Sequence, residues 1–102
     1  MAKFVLAYTG GSMAETPEAQ EAAMAAWGAW FGRLGAAVTD GGNPFGASNK
    51  VTSSSATGNT SSGLTGYSIV EADDLGAASK LAGGCPVLSS GGAVEIFEAI
   101  PM

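Results

Sequence analysis

Hydrophobic and polar positions set a strand rhythm at the start of the chain. In "KFVLAY", Phe4, Leu6 and Tyr8 fall on one side and Val5 and Ala7 on the other. Apolar residues on both sides predict a strand covered on both faces. Gly10 to Glu15 predicts a loop, and the period then lengthens. In "TPEAQEAAMAAWGAWFGRLG", Ala23, Trp27, Trp30 and Leu34 recur at helical spacing, flanked by Met24 and Phe31. The ends of this helix are marked as clearly as its face. Thr16 stands as the N-cap, Pro17 takes the first helical position, and Glu18 and Glu21 suit the positive end of the helix dipole. Arg33 lies in the last turn and Gly35 closes it. Gly28 and Gly32 each cost about 1 kcal/mol relative to alanine inside a helix. With Ala25 and Ala29 they form a small-residue strip suited to close packing against a sheet or a second helix.

The remaining elements are shorter. "AAVTD" (36–40) predicts a short strand leading into the loop "DGGNPFG". Residues 48–62 are polar and punctuated by glycine, with a weak strand at Lys50 to Ser54 and a flexible tip after it. "LTGYSIVEA" (64–72) is a strand with Leu64, Gly66, Ser68 and Val70 on one face and Tyr67 and Ile69 on the other. Asp73 then caps a helix through Ala82, with Leu75, Ala78 and Leu81 or Ala82 inward. "GGCPVLSSGG" reads as a loop, and "AVEIFEAI" (93–100) as a last strand with Val94, Ile96 and Ile100 opposed to Glu95 and Phe97.

The order β-α-β-(β)-β-α-β predicts an α+β fold of the ferredoxin-like, split βαβ kind, with an antiparallel sheet and an insertion in the middle. Two helices of such a fold cover one face of the sheet. The other face, carrying Val5, Tyr67, Ile69 and Phe97, would leave apolar side chains in water. A homodimer whose sheets pack face to face through an isologous interface is the economical solution.

Length and composition narrow the function. The chain has 102 residues, enough for one domain spanning 1–102. A domain of this size buries roughly 60–65% of its unfolded surface, so a partner subunit is a natural second source of stability. Charged residues make up 13% of the chain and the formal net charge is −5. Lys3, Arg33, Lys50 and Lys80 are scattered, which excludes a nucleic-acid interface and argues against an anionic membrane surface. No run approaches the roughly 20 apolar residues of a spanning helix, and "KFVLAY" is too short for the core of a signal peptide. Cys85 is the only cysteine, so no intrachain disulfide forms and a cytoplasmic location is expected. There is no histidine. That removes the commonest general base and metal ligand, and no metal or cofactor site is expected.

The chain resembles the YCII-related (DGPF-type) family of small α+β proteins along nearly its whole length. The residues that carry this are "KFVLAYTGG", "AWGAWFGRLGAAVTD", "GGNPFG", "GLTGYSIVEADDLGAASKLAGGCPVL" and "GGAVEIFEAI". The resemblance implies a ferredoxin-like fold, a dimeric α+β barrel, and a cleft between helix and sheet near the dimer interface. It also implies, for some relatives, a His–Asp pair in that cleft and, in one branch, a dehalogenase-like enzyme. Here the histidine and the DGPF tetrapeptide are both missing, and Asp40 alone stands near the acidic position.

Asp40, Asn43 and Phe45 follow the strand that should end near such a cleft. Asp40 is the candidate general base, if desolvation raises its pKa, and Asn43 a candidate to orient a polar substrate. Tyr8, Trp30 and Tyr67 complete the candidate ligand-binding set, Tyr8 and Tyr67 from adjacent strands. Turn chemistry explains the same loop without a ligand: Asp before Gly-Gly, Asn before Pro, and Phe45 as a hydrophobic plug. Trp27 and Trp30 stack on a planar ligand or fill the core. Cys85 reads as a small buried hydrophobe with no basic neighbour to activate its thiol. Three functions stay open: a dimeric small-molecule-binding domain without catalysis, an enzyme acting on a small organic substrate through Asp40, and a structural or interaction subunit whose cleft is filled by Trp30 and Phe31.

Overall fold

The computed structural model describes residues 2–11, 15–54 and 62–101. Strand β1 (Ala2–Thr9) lies between β3 (Leu64–Ala72) and β4 (Ala93–Ala99), with β2 (Val38–Asp40) outside β3. The order is β2-β3-β1-β4 and each neighbouring pair is antiparallel. This is a small α+β domain with a four-stranded antiparallel sheet and two helices.

Register decides which side chains share a face. Phe4 is opposite Val70 and Glu98, Leu6 opposite Ser68 and Ile96, and Tyr8 opposite Gly66 and Val94. These residues point to one side, because successive strand residues alternate. Val5, opposite Ile69 and Phe97, and Ala7, opposite Tyr67 and Glu95, point to the other. The core lies on the first side. Phe4, Leu6, Tyr8 and Val70 form one buried cluster with Trp30 of helix α1 (Pro17–Leu34) and with Ala78 and Ala82 of helix α2 (Leu75–Ala82). Both helices therefore cover the same face. The opposite face stays bare: Val5, Tyr67 and Ile69 are half-buried and Phe97 is 54% exposed.

Helix α1 begins and ends where its end signals stand. Thr16 Oγ1 accepts the Ala19 N–H at 3.1 Å, and Gly35 closes the helix at φ 57° with its N–H donated to Phe31 O. Only the last part of α1 touches the core. Trp30 is buried and Trp27, Phe31 and Leu34 are half-buried, whereas every residue from Pro17 to Ala26 is exposed. The first half stands off the core. The molecule is broad and thin, 44 × 41 × 19 Å, with a radius of gyration of 14.9 Å. A compact chain of this length would have about 13 Å.

Several expectations are corrected. Asp74, not Asp73, caps α2: its Oδ1 accepts the Ala77 N–H at 2.8 Å from an extended backbone. Leu75 lies at the tip of that helix, beyond the core, and is 53% exposed, while Ala78 and Ala82 are buried one turn and two turns on. Residues 35–37 form a 3₁₀ turn, so β2 starts only at Val38. Lys50 to Ser54 form no strand; Val51, their single apolar residue, is 73% exposed and nothing seats it on the core. Pro86–Ser90 is a 3₁₀ turn inside the expected loop, and it buries Val87. Strand β4 stops at Ala99, which leaves Ile100 70% exposed rather than in line with Val94 and Ile96. Residues 12–14 of the first loop and the tip at 55–61 lie outside the described residues.

Candidate functional site

Helix α1 and the loop after β2 flank an open cleft of about 580 Å³ at the Tyr8 end of the sheet. One wall is helical: Ala23, Met24, Trp27 and Phe31 face it from α1. The other is the chain from Gly41 to Pro44, and Thr65 and Gly66 form part of the floor beside Tyr8.

The loop wall is a continuation of β2 that lies unusually close to β3. Phe45 N–H donates to Thr65 O at 2.9 Å and Tyr67 N–H donates to Asn43 O at 3.3 Å, with Pro44 bridged to Gly66. Gly42 allows this approach. Its φ is +75°, and a Cβ there would stand 1.7 Å from the Tyr67 carbonyl oxygen. Only glycine fits. Gly66 plays the matching part on β3, where a Cβ would meet Asn43 O at 3.2 Å and the Tyr8 ring at 3.4 Å. A lone glycine inside a strand is the sequence mark of such close backbone contact.

A buried polar chain anchors the loop from beneath. The Tyr8 hydroxyl donates to Ser68 Oγ at 2.7 Å, and Ser68 Oγ donates to Gly41 O at 2.7 Å. Ser68 is fully buried, and among the described residues no buried side-chain nitrogen or oxygen lacks a partner. Burial pushes the Tyr8 hydroxyl up to about pKa 12, against the opposing pull of its bond to Ser68. The Cys85 thiol lies beside that hydroxyl, buried, and burial raises its pKa as well. A neutral, protonated pair is what low polarity favours here.

The rings of the helical wall brace one another. Tyr8 and Trp27 meet edge to face with centroids 5.1 Å apart, and Trp27 lies 5.9 Å from Phe31. Such contacts add about 0.5–1.5 kcal/mol per pair beyond area burial.

The five site residues expected from the sequence separate into two groups. Tyr8, Asn43 and Tyr67 line the cleft. Tyr8 does so from the helix-covered face, whereas Tyr67 is paired with Ala7, so its ring points to the other face and stacks on Phe45 at 5.7 Å while its backbone stands beside Gly42. Trp30 and Asp40 are not among the lining residues. Trp30 is drawn into the core, where its indole N–H donates to Leu81 O at 3.1 Å. The Asp40 carboxylate is exposed and accepts the Gly42 N–H at 2.8 Å, an Asx turn of the kind that explains Asp before Gly-Gly. Trp27, Met24 and Phe31 take the wall position instead. Ser68 had a legible signal, as a polar residue on the apolar face of a strand that must find a partner.

A second depression, at the other end of the sheet, sets Lys3 among Glu71, Asp73 and Glu98 and has no comparable ring wall. Among the described residues no group of three or more His, Cys, Asp or Glu could hold a metal ion, and no helix is long and apolar enough to cross a membrane. The chain matches no protein-family model, no curated protein and no solved structure.

Proposed function

We propose that the protein is a ferredoxin-like, YCII-related domain that pairs with a second copy and binds a small organic molecule in the cleft beside α1, without transforming it. The cleft itself carries this reading. Its volume, about 580 Å³, falls within the roughly 300–1,000 Å³ of small-molecule sites. A purely structural subunit would close that space with its own side chains, yet Trp30 is committed to the core and Phe31 stands at the wall.

Binding is favoured over turnover by what faces the cleft. Asp40, the candidate base, holds its own turn rather than the cavity. Tyr8 is the strongest remaining acid–base candidate, but its pKa near 12 denies it the role of base at neutral pH and its proton is donated to Ser68 rather than into the cleft. The ferredoxin-like reading is supported by the β2-β3-β1-β4 order with both helices on one face. Pairing is supported by the bare face, where Val5, Ile69, Phe97 and the Phe45–Tyr67 stack make an apolar centre. Lys3, Glu71 and Glu95 share that face outside it, as the polar rim of an isologous interface would require.

Native mass spectrometry of gently purified protein tests both parts. The expected species is a dimer with one small molecule per protomer, released and identified on denaturation. An empty dimer would count against the binding reading, and a stable monomer at micromolar concentration against the pairing.

A further inference from the structure

Resting on that reading of the cleft, we infer that its ligand is an uncharged, predominantly apolar molecule. Among the described residues, the cleft is lined by no carboxylate, lysine or arginine side chain. A ligand carboxylate or ammonium would therefore give up hydration with no opposite charge to meet it, which is costly away from water. The formal net charge of −5 adds a further barrier to anions.

The polar side chains at hand are largely committed. The Tyr8 hydroxyl donates into the sheet toward Ser68, and Thr65 Oγ1 donates to the Tyr8 carbonyl oxygen at 3.3 Å. The exposed Asn43 amide remains to meet one polar substituent at the rim. The rings at hand point the same way. Trp27 and Phe31 supply ring surface from the helix, and Phe31 Cζ comes within 4.0 Å of where a Cβ on Gly41 would stand, so a guest packs beside these rings rather than between them and the loop. Edge-on ring packing suits an apolar guest there.

The test is equilibrium dialysis of the full chain, at high salt, against naphthylmethanol, naphthoate and naphthylmethylammonium, which share one ring system and differ in charge. Naphthylmethanol is expected to bind once per protomer, at least about ten-fold more tightly than either ion. Ala23→Trp, which fills the cleft from an exposed helix position, is expected to abolish that binding while circular dichroism stays native. Binding of either ion as tight as that of the alcohol overturns the neutral-ligand inference and leaves the cleft as the binding site. No saturable binding of any of the three, or binding that Ala23→Trp leaves unchanged, overturns the cleft reading together with the inference.

Discussion

Gly41 and Gly42 are adjacent, chemically identical, and expected to respond very unequally to the same substitution. In Gly42→Ala the new methyl group would stand 1.7 Å from the Tyr67 carbonyl oxygen, where side-chain carbons essentially never approach within 3.0 Å. The backbone must also hold φ +75°, a left-handed conformation that costs an L-residue about 1–2 kcal/mol. Relief requires the loop to lift from β3, which breaks the Tyr67 N–H bond to Asn43 O and pulls Gly41 O from Ser68 Oγ. At about 0.5–1.5 kcal/mol for each hydrogen bond, the total loss is about 2–5 kcal/mol. That is a large share of the roughly 5–15 kcal/mol that holds a domain together. In Gly41→Ala the nearest atom is Phe31 Cζ at 4.0 Å and φ is not positive. The expected change is within about 0.5 kcal/mol. Urea unfolding of both variants at one fixed protein concentration reads the difference, with Gly42→Ala shifted to lower urea by about 1 M or more. Equal midpoints for the two variants would refute the close approach of loop and strand.

Three further outcomes follow from the buried chain beneath the loop. Ser68→Ala leaves the Tyr8 hydroxyl and the Gly41 carbonyl without their partner, at a cost of about 1–3 kcal/mol, whereas Tyr8→Phe lets Ser68 keep its bond to Gly41 and costs less; thermal melts of the two rank them. Tyr8 has its pKa raised from 10.0 to about 12, so above pH 10 the unfolded chain releases this proton before the folded one does. Stability falls between those values, by at most about 2 kcal/mol after screening, and the same pH series on Tyr8→Phe lacks that component. Cys85, only 2% exposed and with its thiol pKa raised, reacts with a thiol reagent on the timescale of unfolding, which mass spectrometry of labelled protein follows with and without denaturant.

The sheet and α1 were legible because their signals are local. Alternation in "KFVLAY" and "GYSIVEA" sorts side chains to two faces before any partner strand is known, and Thr16, Pro17 and Gly35 mark the helix ends by backbone hydrogen-bond needs alone. The bare face of Val5, Tyr67, Ile69 and Phe97 follows from the same alternation. The choice between Trp27 and Trp30 was not legible. They are three residues apart on one helical face, and what separates them is α2, whose Leu81 carbonyl receives the Trp30 indole. The cleft was hidden for a similar reason. It exists because the first half of α1 stands off the core while Gly42 lets the loop hug β3, and both are relations between distant segments. Asp40 offered both a base and a turn residue in the sequence, and in the fold its carboxylate accepts the Gly42 N–H.

Heteronuclear amide NMR of the full chain titrated with naphthylmethanol tests the cleft most directly. The expected shifts concentrate at the Gly41, Gly42, Thr65 and Gly66 amides and at the Trp27 indole, while the Trp30 indole, bonded to Leu81, stays fixed. Shifts centred instead on Val5, Ile69 and Phe97, or no shifts at all, would contradict the cleft as the ligand site.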